Sequence, residues 1–175
     1  EGRPLRLLIL GIPNSGKSTL INQLSGRKAR PVQNKAGVTR QVAWVRSHNK
    51  GIECLDSPGV LWPKANDPEV KRKLAACAAL PEKLLDRETV AYETFLMMAE
   101  FYPEVLEEVY GIEGPWTLDL SLDYPKYEAA ALARGCVRSG GRADLDRFAD
   151  LFMKDLRNGK LGGVCWDRHP EEAHA

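Results

Sequence analysis

The sequence lacks several features that would assign the protein to large functional classes. It has no run of about 18 apolar residues, so no segment is long enough to cross a membrane. The N-terminal stretch has no small-residue cleavage site of the kind that follows a signal peptide. The four cysteines are far apart and form no Cys-x-x-Cys pair, which argues against a zinc site and a disulfide framework. We therefore expect a protein of the reducing cytoplasm with no membrane partner.

The formal net charge is only +1, but the charges are distributed unevenly along the chain. Residues 1–80 carry 14 Lys and Arg against 5 Asp and Glu, whereas residues 81–128 carry 3 against 12. The basic first part suits the binding of polyphosphate or nucleic acid. The acidic middle part is typical of a solvated helical face.

The strongest local pattern is GIPNSGKST, residues 11–19. It fits the phosphate-binding loop G-x-x-x-x-G-K-S at every required position. Residues 5–10 form an apolar run that we interpret as a buried, central parallel strand, and residues 17–24 are expected to form the helix after the loop. A strand before the loop and a helix after it are the context that this motif requires.

Each residue type in this loop has a physical role. Gly11 and Gly16 allow tight backbone turns, so that successive N–H groups point at the phosphates, and the following helix adds its positive N-terminal end. Lys17 neutralises the β- and γ-phosphates, and the Ser18 hydroxyl is placed to bind Mg²⁺. The predicted nucleotide-binding residues of the loop are Pro13, Asn14, Ser15, Gly16, Lys17, Ser18 and Thr19.

A second motif, LDSPG at residues 55–59, follows a predicted strand about 40 residues later. Asp56 at a strand end can hold Mg²⁺ through water, and Gly59 can donate its backbone N–H to the γ-phosphate. An ordinary Pro-Gly turn is the alternative interpretation. At this distance from a phosphate loop we favour the nucleotide-binding one.

Thr39 lies between the two motifs in a polar, aperiodic stretch. A threonine there can reach Mg²⁺ and sense the γ-phosphate, which makes residues 29–39 a predicted switch segment. A capping threonine is the alternative. We predict Lys17 and Thr39 as catalytic residues and Ser18, Thr39 and Asp56 as the Mg²⁺ ligands.

Two further positions bear on hydrolysis. Asn14 inside the phosphate loop can ligate a monovalent cation such as K⁺, which would supply positive charge where an arginine finger otherwise acts; simple loop geometry is the alternative. Val60 and Leu61 stand where many GTPases have a glutamine that orients the attacking water. Neither side chain can do this, so we expect slow hydrolysis or help from elsewhere.

These residues lack a motif that would recognise the base of the nucleotide. A GTPase normally carries N-K-x-D after the Asp-x-x-Gly segment, and no such motif follows Gly59. Either the base reader lies before Glu1, or the protein needs none. The chain does not begin with Met, which we interpret as a hint of a fragment.

The remaining pattern predicts a helical second half. Pro103 is expected to split one apolar-periodic stretch that ends at Gly111. The predicted elements after the phosphate loop are strands at 41–45 and 52–55, a helix from 67 or 68 to about 80, the split helix before residue 111, a loop over 113–126, and helices at 127–133 and 145–156.

The motifs together resemble one family. GIPNSGKSTLINQLSGR, AGVTRQ, LDSPGVLWPK and LAACAAL, with the later FYPEVLEEVYGI and RGCVRSGGRADLDRFADLFMKDLRNGKLG, are similar to the circularly permuted GTPases of the RbgA/YlqF group, which are ribosome-biogenesis factors. The similarity covers nearly the whole chain. In that family the guanine-reading motifs come first, so the resemblance implies that the reader lies upstream of Glu1 and is absent here.

The resemblance also implies an architecture and a function. The fold class is an α/β P-loop GTPase domain, circularly permuted and without its N-terminal part, over residues 1–83, followed by a small all-helical ribosome-binding domain over residues 84–175. The implied protein is a monomer that binds GTP and GDP with Mg²⁺ and K⁺, docks on the large ribosomal subunit, and hydrolyses GTP slowly unless the ribosome stimulates it. The missing half puts guanine affinity and hydrolysis by this chain in doubt.

The C-terminal domain of that family is implied to contact ribosomal RNA and proteins. Basic side chains here can make such phosphate contacts, although interleaved aspartates equally suit a solvated mixed-charge surface. The predicted RNA-binding residues are Arg138, Arg142, Arg147, Lys154, Arg157 and Lys160, with Arg134 as a further cation.

Two other functions fit the same residues. The chain can be a ribosome- or RNA-binding module whose nucleotide half is idle. It can also be a K⁺-dependent GTPase of another pathway, although the helical second half argues against that.

Overall fold

The computed structural model of the chain describes residues 3–26, 42–46, 51–59, 67–80 and 85–167. The chain divides into two compact units, Glu1–Leu84 and Leu85–Ala175. Among the described helices, none combines the length and the apolarity needed to cross a bilayer.

The first unit is a small α/β structure in which the strands form one sheet of order β1-β3-β2. Strand β1 runs parallel to β3, and β2 runs antiparallel to it. The elements are β1 (Leu5–Ile9), α1 (Lys17–Ser25), β2 (Ala43–Arg46), β3 (Ile52–Asp56) and α2 (Pro68–Ala76).

Local sequence explains where the helices of this unit begin and end. Helix α1 lies between Gly16 (φ 81°) and Gly26 (φ 68°), and this left-handed conformation is one that glycine adopts at little cost. Helix α2 begins after Asp67, whose carboxylate accepts hydrogen bonds from two backbone N–H groups of the first turn. It ends at Ala76, earlier than predicted, because the chain turns into a left-handed conformation at Ala78 (φ 54°).

The prediction that residues 5–10 form a buried central strand is wrong in one respect. Strand β1 is present and parallel, but it lies at an edge of the described sheet. Leu8, on the face away from the core, is 57% exposed, and Leu5 at the start of the strand and Leu10 just after its end are 60% and 64% exposed. The core of the unit lies on the other side, where Ile21, Val45 and Cys54 are buried together with Leu7, Ile9, Leu24 and Ile52 at its border.

The second unit contains four helices in its described part, together with an isolated bridge between Val137 and Ala143. Asp86 and Asp144 cap α3 and α6 by accepting backbone N–H groups, Pro103 separates α3 from α4, and Gly111 (φ 67°) ends α4. The helices are α3 (Arg87–Phe101), α4 (Pro103–Tyr110), α5 (Tyr124–Ala133) and α6 (Leu145–Arg157). Helix α5 begins three residues before its predicted start.

Aromatic side chains fill the core of the second unit. Phe95 of α3 contacts five other rings at centroid distances between 5.2 and 6.4 Å, all edge to face, an arrangement that aromatic pairs prefer. The rings around it are Tyr110, Trp116, Tyr127, Phe148 and Phe152. The four helices therefore share one hydrophobic core.

The loop between α4 and α5 is fixed by a buried carboxylate. One oxygen of Asp123 accepts hydrogen bonds from the backbone N–H groups of Thr117 and Leu118 and from the Thr117 hydroxyl, at 2.8–2.9 Å. The other oxygen accepts from Lys126 Nζ at 3.0 Å. Burial alone would raise the pKa of Asp123, but the bonds from Lys126, Thr117 and Leu118 outweigh it and hold the pKa below the usual 3.8.

We expect Asp123→Asn to lower the free energy of unfolding by about 1–3 kcal/mol, because Thr117, Leu118 and Lys126 lose a charged acceptor that is itself buried. A lowered folded-state pKa gives stability that is complete above about pH 4 and lost as the pH falls through the lowered value. Urea unfolding between pH 2 and pH 7 should therefore show a smaller acid-dependent loss in the variant. Asp119→Asn is the matched control, since Asp119 is exposed and accepts a similar set of local donors. An equal loss in both variants would contradict the role of burial at Asp123.

Candidate functional site

The predicted site forms where two parallel strands end at the same edge of the sheet. In the β1–β3 pairing, Ile9 lies opposite Asp56, so the phosphate loop and the segment after Asp56 leave the sheet side by side. The Ser57 hydroxyl donates to the Ile9 carbonyl at 2.8 Å and joins the two segments. The carboxyl ends of parallel strands are where α/β proteins bind ligands.

The two loops approach closely at Gly59 and Pro13. A Cβ added to Gly59 would lie 2.5 Å from Pro13 N and 2.6 Å from Pro13 Cα. Side-chain atoms do not come this close to a backbone, so glycine is required for this contact. The motif LDSPG therefore packs against the phosphate loop, a contact that neither motif reveals alone.

Inside the phosphate loop, the Ile12 carbonyl accepts two side-chain donors. The Ser15 hydroxyl donates to it at 2.8 Å and Lys17 Nζ donates at 2.6 Å. Burial lowers the pKa of Lys17, and the nearby Asp56 carboxylate partly opposes this change. The ammonium group is thus held over the loop, where a phosphate can replace the carbonyl as its partner.

The N-terminal end of α1 completes the phosphate-binding surface. Gly16 occupies the cap position without a side-chain hydrogen bond to the first turn, and α1 contains no acidic residue in that turn. The positive dipole end of α1 therefore meets no acidic side chain of the first turn and favours an anion. Lys17, Ser18 and Thr19 begin this helix.

The oxygen donors fit a magnesium ion that also binds phosphate. Asp56 is fully buried at the end of β3, and Ser18 lies in the first turn of α1. The described residues include no cluster of three or more His, Cys, Asp or Glu that could hold a metal alone. Mg²⁺ usually takes one or two protein ligands and completes its shell with water and phosphate, so a hydroxyl and a carboxylate are a suitable set. Thr39, the third predicted ligand, lies outside the described residues, as do Val60 and Leu61.

Asn14 makes a contact that the sequence did not predict. Its backbone is left-handed (φ 59°), and its side-chain Nδ2 donates to the Cys77 carbonyl at 3.4 Å, at the end of α2. The amide oxygen is the group that would bind a monovalent cation, so the contact to Cys77 leaves the predicted ligand atom available. No sequence pattern indicates this pairing of residues 63 positions apart.

The predicted RNA-binding residues of the second unit fall into two groups. Arg138 forms ion pairs with Asp144 and Asp146, and Lys160 pairs with the buried Asp155 at 2.7 Å. Arg134 binds the same Asp155 at 3.0 Å. These three cations already stabilise the unit.

The other group is solvent-exposed. Arg147, Lys154 and Arg157 lie on the outer face of α6, opposite its buried Phe148 and Phe152. Arg142 is exposed in the turn before α6. Within the described residues, Arg142, Arg147 and Lys154 form no ion pair. They are therefore better placed to contact phosphate than the ion-paired cations of the first group.

Comparison with known proteins identifies the family model that this chain matches. Residues 6–100 match the model described as the 50S ribosome-binding GTPase. The matched segment contains the phosphate loop and LDSPG.

Curated relatives extend over both units of the chain. Ribosome biogenesis GTPase A of Priestia megaterium is 36% identical over 172 residues, covering 98% of this chain and 57% of that protein. The protein of the same name from Bacillus cereus is 37% identical over 171 residues, covering 97% and 55%. The chain therefore spans a little over half the length of these relatives.

Two solved structures of YlqF have a fold similar to that of this chain. GNP-bound YlqF from T. maritima has a TM-score of 0.57 at 29% identity, covering 98% of this chain and 62% of that chain. A GDP-bound YlqF structure has a TM-score of 0.59 at 29% identity, covering 96% and 62%. The first unit thus has the P-loop GTPase fold.

We expect Gly59→Ala to separate LDSPG from the phosphate loop, because the new methyl group would overlap the Pro13 backbone. Hydrogen–deuterium exchange should be faster in residues 11–19 and 52–59, and overpacking of this kind typically costs about 1–3 kcal/mol of unfolding free energy. Gly163→Ala is the control, since a Cβ there meets nothing within 4 Å. Unchanged exchange in the Gly59 variant would show that the two loops do not pack together.

Proposed function

Because the chain belongs to the family of 50S ribosome-binding GTPases, we propose that the protein binds GTP with Mg²⁺, docks on the large ribosomal subunit during its assembly in the cytoplasm, and leaves after hydrolysis. The observation that carries the proposal is the joining of the phosphate loop to LDSPG at the carboxyl ends of β1 and β3. This arrangement brings every described nucleotide-binding residue of the first unit to one edge of the sheet.

The residues have separate roles in this proposal. The backbone N–H groups of residues 13–19 and the Lys17 ammonium group bind the phosphates. Ser18 and Asp56, together with Thr39, would hold Mg²⁺, which would supply positive charge at the phosphates. Gly59 donates its N–H to the γ-phosphate, so that its contact with Pro13 links the two loops to the state of the nucleotide.

The guanine reader belongs to a part of the protein outside these residues. Strand β1 has an open edge in the described sheet, and its exposed Leu5, Leu8 and Leu10 offer apolar surface for a further parallel layer. The curated relatives are longer than this chain. We propose that the domain is circularly permuted and that an upstream half supplies strands at β1 and the guanine contacts.

Hydrolysis in this proposal depends on positive charge and not on a glutamine. The Asn14 amide oxygen would hold K⁺ beside the phosphates, where the ion would supply the positive charge that an arginine finger supplies in other GTPases. Val60 and Leu61 cannot orient water, so the intrinsic rate is low and the ribosome completes the site.

The second unit supplies the contact with RNA. The exposed cations of α6 and of the turn before it suit a phosphate backbone. The protein acts as a monomer, with nucleotide state setting whether both units engage the ribosome.

We expect the chain to pellet with purified large ribosomal subunits more strongly in the presence of GTP and Mg²⁺ than of GDP. Lys17→Ala removes charge-assisted hydrogen bonds, so nucleotide affinity should fall about tenfold to a hundredfold and the nucleotide dependence of pelleting should disappear. Lys71→Ala, on the exposed surface of α2, is the control. Pelleting that ignores nucleotide in the unsubstituted chain would favour a binding module with an idle nucleotide half.

A titration with fluorescent GTP in Mg²⁺ and K⁺, competed with ATP and GDP, tests separately whether this chain binds phosphates and whether it recognises guanine. If the guanine reader lies upstream, this chain should bind weakly, and either triphosphate should displace the probe. Tight binding that GDP displaces and ATP does not would place a guanine pocket within these 175 residues.

Replacing K⁺ by Na⁺ in the same assay tests the role of Asn14. Substitution of Asn14 by Ala should remove any preference for K⁺ over Na⁺.

A further inference from the structure

The second unit presents large apolar side chains on a surface loop. Residues 117–122, TLDLSL, which we name the leucine loop, expose Leu118, Leu120 and Leu122 at 43%, 57% and 68%. Three exposed leucines within five residues depart from the single, scattered apolar side chains of an ordinary surface. None of the functions assigned above to the second unit uses them.

Hydrogen bonds hold the leucine loop in one conformation. The Asp119 carboxylate accepts from the N–H and hydroxyl of Ser121 and from the N–H of Leu122, at 2.8–3.0 Å. The Tyr92 hydroxyl of α3 donates to the Leu120 carbonyl at 2.7 Å. With Asp123 fixing its other end, the loop presents its leucines already ordered, which lowers the entropy cost of binding.

The exposed Leu118 also has a strained backbone conformation. Its φ of 59° lies in the left-handed region, where a bulky side chain is uncommon and unfavourable. Its side chain is 43% exposed, so little burial within this chain compensates for the strain. Strain of this kind concentrates at binding and active sites.

Two further exposed apolar side chains lie on α5. Tyr124 and Leu132 share one face of the helix with the charged Glu128, since the three are spaced by four residues. All three are exposed, Leu132 at 43%. This face begins two residues after Leu122, and we name it, together with the leucine loop, the leucine surface.

The exposed charges around the leucine surface disfavour RNA as its partner. Residues 113–128 expose Glu113, Asp119 and Glu128, whereas Asp123 is buried and pairs with the one cation, Lys126. That cation is held internally by Asp123, by the Pro115 carbonyl and by the Trp116 ring, whose centroid is 4.4 Å away. An acidic border repels a phosphate backbone and attracts lysine and arginine.

We propose that the leucine surface binds a basic protein of the large ribosomal subunit, through an apolar pocket bordered by lysine or arginine. The inference rests on the proposed docking to that subunit and names a second kind of contact in it. The exposed cations of α6 contact RNA, and the leucine surface contacts protein. The two surfaces of the second unit thus differ in partner because they differ in charge and apolarity.

Site-specific photo-cross-linking to purified large ribosomal subunits tests this directly. One form of the 175-residue chain carries the cross-linker at Leu120, and a second form carries it at Lys154 on α6. We expect the Leu120 adduct to resist ribonuclease and to be lost on proteolysis, and the Lys154 adduct to be on RNA. A Leu120 adduct on RNA, or none while Lys154 still cross-links, would overturn the inference and leave the proposed function standing. Failure of both positions, with no pelleting, would overturn both.

Affinity measurements with the same subunits provide a second test. Joint substitution Leu120→Ser and Leu122→Ser should weaken binding about tenfold, in the range of interface hot spots, with the unfolding midpoint unchanged because both side chains are exposed. Glu128→Lys should also weaken binding. Val137→Ser, at an apolar residue that is 45% exposed and lies outside the leucine surface, is the control. Unchanged affinity in the double variant would refute the docking role.

Discussion

The parallel pairing of β1 with β3 is the constraint on which the candidate site depends. It sets Ile9 opposite Asp56, so that two loops far apart in sequence leave the sheet at one edge. Only from that position can Ser57 bond to β1 and Gly59 pack on Pro13. The sheet is small and its core is formed by few residues. The geometry of the phosphate loop therefore relies on this register more than on a large hydrophobic core.

Buried carboxylates have the corresponding role in the second unit. Asp155 joins Arg134 to Lys160, and Asp123 organises the loop before α5. Each buried charge is surrounded by several donors, which offsets its desolvation. Helix α3 buries nine of its residues among the other elements. A loop fixed on such a scaffold can keep apolar side chains exposed without collapsing onto the core.

The sequence predicted the features that depend on neighbouring residues. Glycine and lysine spacing indicated the strand, loop and helix over residues 5–25, Pro103 and Gly111 marked helix boundaries, and the RbgA/YlqF resemblance is confirmed by the relatives. Contacts between distant residues could not be predicted, such as Asn14 with Cys77. The exposure of β1 was predicted wrongly, because an apolar run shows which side chains prefer burial and not whether a partner layer is present. The roles of Thr39 and of the basic residues stay predictions.

The α6 cations and the leucine surface would contribute to docking in different ways. In the proposed docking, contacts between the α6 cations and phosphate would release counterions, so their strength would fall steeply as salt rises. Burial of the leucine surface gains from the removal of apolar area from water, which salt weakens far less. RNA contacts can therefore govern the rate of encounter, whereas the apolar contact governs how long the complex lasts.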